Sequence, residues 1–158
     1  MEINSDRIPP QNLQAEQALL GSVLLTADAL VQAQEYVQPD DFYRQSHRLI
    51  FEAMLALNEN NEAIDLVTLI SYLEENDQLE SVGGPAYLAE LAETAPTAAH
   101  VEHYAKIVEQ RAILRRLIQA STEIISESYD ESPDVQDWLD EAERKIMEVS
   151  SRKTRSGF

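Results

Sequence analysis

His100 and His103 lie three residues apart, with Glu102 between them, in a stretch free of Gly and Pro. On a helix that spacing turns both imidazoles to one side, where they could hold a metal ion together with Glu102 or a carboxylate from elsewhere. A two-histidine pair without a third positioned ligand reads more plainly as a solvated helix face. His47 follows Phe42 and Tyr43; a general acid or base is one reading, a hydrogen-bonded histidine inside the fold the plainer one. Gly83-Gly84 is the one glycine pair, but Pro85, Ala86 and Tyr87 follow it where a phosphate-cradling loop needs Lys and a hydroxyl residue. A tight turn before a helix fits those residues better. The acidic runs at 74–77 and 137–143 supply carboxylates without a cleft to drive two pKa values apart, so solvated faces are the simpler account. No serine sits in a strained Gly-x-Ser-x-Gly turn. The residues name no catalytic group, no metal and no cofactor site, and the chain reads as an interaction module.

The positioning elements come from a chain of 158 residues with 44% apolar content, four Gly and six Pro, enough for one ordinary domain with an added helical element. β-branched and aromatic residues dominate no window, so the expected class is all-α. Twelve basic residues stand against 29 acidic, a net charge of −17. Such a chain repels phosphates, and little direct nucleic-acid binding is expected of it. The charge is uneven: residues 1–97 carry 3 basic and 17 acidic groups, residues 98–158 carry 9 and 12. Two regions with different partners are implied. The lack of cysteine excludes disulfides and thiolate metal sites, and the short apolar runs fall far below the roughly 20 residues of a membrane span. A cytoplasmic protein with no membrane contact is the expectation.

Asn12 caps a first helix running to about Leu25, with Leu13, Ala15, Ala18, Leu19, Leu20, Val23 and Leu24 broadly on one face. Thr26 is expected to cap a second, through Val37, stopped by Pro39. From about Tyr43, Leu49, Ile50, Ala53, Met54 and Leu57 repeat at helical spacing until Asn58, Asn60 and Asn61 signal a turn. Asp65 caps a fourth helix with Leu66, Leu69, Ile70 and Leu73 inward, and Gly83-Gly84-Pro85 starts a fifth carrying Tyr87, Leu88 and Leu91. Pro96 closes this head, 1–97.

Residues 98–129 contain neither Gly nor Pro and read as one long helix. Its apolar stripe changes side: Val101, Ala105, Val108 and Ala112 share one face, whereas Leu114, Leu117, Ile118, Ser121 and Ile125 share nearly the opposite one. The first half is expected to pack on the head and the second half to seek another helix. A last helix, opened by Ser132, Pro133 and Asp134, spaces Val135, Leu139, Ala142, Ile146 and Val149 as a heptad seam. The pair forms a hairpin over 98–150, and residues 151–158, polar and basic, read as the start of a linker. Two helices bury too little to stand alone, so a second hairpin from another subunit is the expected cover. Arg111, Arg115 and Arg116 lie where the stripe switches side. They suit an acidic partner, a nucleic acid, or plain pairing with Glu109 or the acidic head.

Several blocks in order carry a resemblance. Arg7-Ile8-Pro9-Pro10-Gln11 with Ala15-Glu16-Gln17-Ala18, Leu20 and Gly21, then Asp41-Phe42-Tyr43 with His47, then Asp65-Leu66-Val67-Thr68, then Gly83-Gly84 with Tyr87-Leu88, then Tyr104, Ile107, Val108 and Leu114-Arg115-Arg116-Leu117, then Leu139-Asp140-Glu141-Ala142-Glu143 with Ile146-Met147, together resemble the N-terminal region of DnaB-type bacterial replicative DNA helicases. The resemblance implies a non-catalytic collar domain, six copies assembling as a trimer of dimers through hairpin pairing, and recruitment of primase in the replisome. A helicase loader is a further candidate partner. ATP and Mg are expected only in a RecA-like ATPase domain, which these residues do not include; the full-length protein would be an ATP-hydrolysing, DNA-unwinding enzyme. The subunit interface is placed on Leu114, Leu117, Ile118, Ser121, Ile124 and Ile125 of the long helix and on Trp138, Leu139, Ile146 and Met147 of the last. The primase contact is placed on Tyr87, Ile118, Ile124, Arg111 and Arg116. Two other readings stay open at this point: the helicase-binding domain of primase, which shares a head-plus-hairpin arrangement, and a stand-alone helical adaptor. A helix-turn-helix DNA binder is disfavoured by the charge.

Overall fold

Asn12 is extended, and its Oδ1 accepts the Ala15 amide at 2.9 Å, satisfying one of the donors that a helix start leaves open. Helix α1 follows over Leu13–Leu25. The computed structural model of the chain describes residues 7–95, 98–130 and 134–156, with side chains to 151; Pro96, Ser132, Pro133 and Gly157, used in the sequence reading, lie outside them. The other α-helices are α2 at Asp28–Gln34, α3 at Gln45–Glu59, α4 at Leu66–Glu75, α5 at Gly84–Thr94, α6 at Val101–Tyr129 and α7 at Val135–Ser156. Short 3-10 turns at Pro39–Asp41, Glu80–Val82 and Ala98–His100 join them. The expected all-α class holds.

The chain divides into two compact units. One spans Asn12–Gln110, the other joins the described residues before Asn12 to those from Arg111 onward. In the first, α1 lies against α5, and α3 against α4. Leu19, Leu20, Phe42, Phe51, Leu69 and Leu88 are among its fully buried side chains, and the Phe42 and Phe51 rings meet at 5.1 Å. Gly21 is where α1 meets α5: a Cβ built there would lie 2.4 Å from the Leu91 carbonyl oxygen. The absence of a side chain is what allows the approach.

Local chemistry sets the element ends. Asp65 and Thr68 exchange reciprocal hydrogen bonds at the start of α4, 2.9 Å from the Thr68 amide to the Asp65 carboxylate and 3.0 Å from the Asp65 amide to the Thr68 hydroxyl. Gly83, at φ 104°, turns the chain into α5, with Pro85 in its first turn.

Three expected helices have different ends. Helix α2 is shorter than 26–37: Thr26 closes α1, its hydroxyl only brushing the Asp28 amide at 3.4 Å, and the last turn loosens after Gln34. Helix α3 starts at Gln45 rather than Tyr43, because the Tyr43 and Arg44 amides donate to the Glu16 carboxylate and hold that stretch extended. Helix α7 continues to Ser156, beyond the expected start of a linker at 151. No helix among the described residues is long and apolar enough to cross a membrane.

Candidate functional site

The switch of faces along α6 is visible in burial. Val101, Ala105, Val108 and Ala112 are at most 2% exposed, whereas Leu114, Leu117, Ile118 and Ile125 are 40–51% exposed. Ser121 and Ile124 are half-buried between them. In α7, Leu139, Ile146 and Met147 are exposed and Trp138 is half-buried. The ten residues expected at the subunit interface therefore fall in one unit, on the two helices of a hairpin, and most of them leave large apolar surfaces bare. Exposed apolar area concentrated on one element is the usual signature of an association surface.

Two polar contacts join the helices of the hairpin. Trp138 Nε1 donates to Ser128 Oγ at 2.9 Å. Further along, Lys145 Nζ meets Glu123 at 3.1 Å. The carboxylate hydrogen bond and charge raise the Lys145 pKa, and Lys145 in turn lowers that of Glu123. Asp134 accepts the Gln136 amide at 3.0 Å, capping α7. Between the helices lies a groove of about 300 Å³ lined by Arg116, Gln119, Ala120, Lys145 and Val149 among others. Arg144 pairs with Glu141 and Glu148 on the outside of α7.

The residues expected to contact primase divide between the units: Tyr87 belongs to the head, and Arg111, Arg116, Ile118 and Ile124 belong to the hairpin. Tyr87 is half-buried rather than exposed, and its hydroxyl is committed inside the head. His47 Nε2 lies 2.6 Å from it, and Gln17 Nε2 and Arg44 Nη1 donate to it at 3.2 and 3.3 Å. The other His47 nitrogen, Nδ1, lies 2.7 Å from Glu16 Oε1, and both side chains are buried. The sequence reading of His47 as a hydrogen-bonded histidine within the head is what the geometry shows. Its partner Glu16 was missed as a site residue. The available signal was a carboxylate directly after Ala15, on the face that buries Leu19 and Val23.

The remaining candidate sites resolve simply. The Gly83 and Gly84 amides donate to the Glu80 and Leu79 carbonyls at 3.2 and 2.9 Å, so they are turned inward rather than toward a phosphate. His100 and His103 are exposed and stand edge-on or tilted to the Tyr104 ring; among the described residues no group of three His, Cys, Asp or Glu side chains is placed to hold a metal. Nearby, Tyr36 donates to Glu102 at 2.6 Å, and that carboxylate bond raises the Tyr36 pKa to about 12.

The decisive comparison is with protein families: the model described as DnaB-like helicase N terminal domain matches residues 8–110. The chain belongs to this family. Its curated relatives include the replicative DNA helicase DnaC of Bacillus subtilis (strain 168), 51% identical over 157 residues, and the replicative DNA helicase DnaB of Geobacillus stearothermophilus, also 51% identical over 157. In both cases the alignment covers 99% of this chain and 35% of the relative. The chain thus spans about a third of the length of these relatives. Among solved structures, the N-terminal domain of DnaB helicase from Mycobacterium tuberculosis superposes with a TM-score of 0.85 at 40% identity, covering 89% of this chain and 99% of that one. A structure of a DnaB-like replicative helicase and its interactions with primase shares the fold, with a TM-score of 0.72 at 24% identity. The family settles the open alternative in favour of a helicase N-terminal domain over the helicase-binding domain of primase.

Proposed function

We propose that this domain is a non-catalytic assembly module: copies associate through the α6–α7 hairpin into a dimer-based hexameric collar, and the collar recruits primase. The observation that carries the reading is the bare apolar stripe of Leu114, Leu117, Ile118 and Ile125, continued by Leu139, Ile146 and Met147 on α7. A hairpin with that much unburied apolar surface gains from a second hairpin laid against it. Primase recruitment is supported by family membership and by the fold shared with a DnaB-like replicative helicase whose structure was determined for its interactions with primase. Contact with a helicase loader belongs to the same reading. ATP hydrolysis, with its Mg ion, and DNA unwinding are assigned to parts of the parent helicase beyond these residues.

Leu117→Asp places a charge in the centre of the stripe while leaving the head core untouched. Sedimentation velocity should show the self-associated species of the wild-type chain shifting toward monomer, with the far-ultraviolet circular dichroism unchanged. An unchanged oligomer would remove the stripe from the interface. For primase, Tyr87→Ala and Ile124→Ala should each weaken binding of the matching primase C-terminal domain about tenfold in calorimetric titration, the size expected for a contact at the centre of an interface. Unaltered affinity in both variants would relocate that contact.

A further inference from the structure

The head carries a groove of about 410 Å³ between the end of α3 and α4, lined by Leu57, Glu62, Val67, Thr68, Tyr72 and Glu75 among others. Thr68, Tyr72 and Glu75 recur at helical spacing and share one stripe of α4, while Leu69 and Leu73 of the same helix are fully buried. Both walls are held in place. Thr68 is locked in the reciprocal cap with Asp65, and the Glu62 amide donates to the Leu57 carbonyl at 2.9 Å. The apolar lining is Leu57, the half-buried Tyr72 and Val67, which is left 77% exposed. The charged lining is acidic only. Glu62 and Glu75 are exposed, and among the described residues neither is paired with a cation. Residues 49–105 hold eleven acidic residues and no Lys or Arg. A merely solvated acidic face needs no apolar lining, so carboxylates and bare apolar side chains in one groove point to an occupant that brings both a cation and an apolar group.

We propose that this groove docks a basic peptide segment of a partner protein, its Lys or Arg side chains on Glu62 and Glu75 and an apolar side chain against Val67 and Tyr72. Charge decides the occupant. A second copy brings a net charge of −17 toward a groove that is itself acidic, and a nucleic acid is repelled for the same reason. A cationic segment is attracted from a distance and gains again at contact, where it neutralises two carboxylates. The proposal goes beyond the hairpin-pairing reading and does not rest on it, since the groove lies wholly in the head unit.

Short random peptides displayed on phage are selected on the full wild-type chain, and those recovered are titrated by fluorescence anisotropy. The titrations compare wild type with Glu62→Gln/Glu75→Gln, Val67→Ser and Glu90→Gln/Glu93→Gln, with helicity checked in each. All five side chains are exposed, so the substitutions spare the core. Expected are peptides that combine Lys or Arg with a large apolar residue. Their binding should weaken about tenfold in Glu62→Gln/Glu75→Gln and about fivefold in Val67→Ser. It should weaken less than about twofold in Glu90→Gln/Glu93→Gln, which removes the same charge from α5. Equal weakening by the two double variants would reduce the binding to general attraction by net charge and overturn the site. Recovery of no binders, of binders without basic residues, or of binders indifferent to the groove variants would overturn it as well. If Glu62→Gln/Glu75→Gln weakens self-association in sedimentation velocity, the occupant is a second copy and the partner assignment falls. Leu117→Asp should leave peptide affinity unchanged, which separates this proposal from the hairpin-pairing reading.

Discussion

Glu16 ties together stretches of chain far apart in sequence, accepting from the Tyr43 amide at 2.7 Å and facing His47 Nδ1 at the same distance while almost fully buried. In the arrangement that satisfies every donor, the Tyr87 hydroxyl donates to His47 Nε2 and accepts from Arg44 and Gln17. Removing the carboxylate strands a buried imidazole nitrogen and at least one amide. Glu16→Ala should therefore lower the unfolding free energy by about 3 kcal/mol, the scale of a broken buried pair. Chemical denaturation checks this, and a loss under about 1 kcal/mol would contradict the network. Tyr87→Phe removes only the hydroxyl and should cost about 1–2 kcal/mol. It also separates two roles, since a partner that grips the ring keeps its affinity for the phenylalanine variant and loses it for alanine. This network was only half legible in the sequence. His47 beside Phe42 and Tyr43 announced an internal hydrogen bond, but the identity of its partners depends on helix packing that brings residues 31 and 40 positions away together. No local pattern encodes that.

At the scale of elements, helix faces and two of the helix starts were the most readable features. Asn12 and Asp65 cap the helices they were expected to cap, because capping is decided within three residues. The change of face along α6 was readable because helical periodicity alone fixes which side each residue occupies. The start of α3 was not, because a distant carboxylate, Glu16, captures the amides that would have begun the helix. Two predictions belong here. Gly21→Ala forces the α1 and α5 backbones apart at the Leu91 carbonyl and should destabilise the head by about 2–3 kcal/mol, as overpacking of a tight contact does; a thermal melt within error of wild type would refute the close approach. The Glu123–Lys145 pair makes the hairpin pH-sensitive at both ends. The lowered Glu123 pKa gives stability that is present above its unfolded value near 4.3 and is lost as pH falls through the folded one. The raised Lys145 pKa gives stability that is present below its unfolded value near 10.4 and is lost as pH rises through the folded one. Half of Glu123 is open to solvent, so the effect is small, and it should disappear from helicity measured against pH in Lys145→Met.

For the whole molecule, net charge and the apolar stripe oppose each other. Copies that each carry −17 repel at long range, while the stripe rewards close contact. Self-association should accordingly strengthen as salt rises from low ionic strength toward physiological values, where the Debye length shrinks to about 8 Å. Salt titration in the ultracentrifuge reads this directly, and weakening with salt would point to ion pairs rather than apolar burial as the driving contact. The charge disfavours contact with phosphates: 17 of the acidic groups lie in the first 97 residues against three basic ones. The most direct test of the account is sedimentation velocity of the unmodified chain from micromolar to millimolar concentration. A species heavier than the 17.8 kDa monomer is expected, growing with concentration in even multiples as hairpins pair. A single monomeric boundary at every concentration would contradict it.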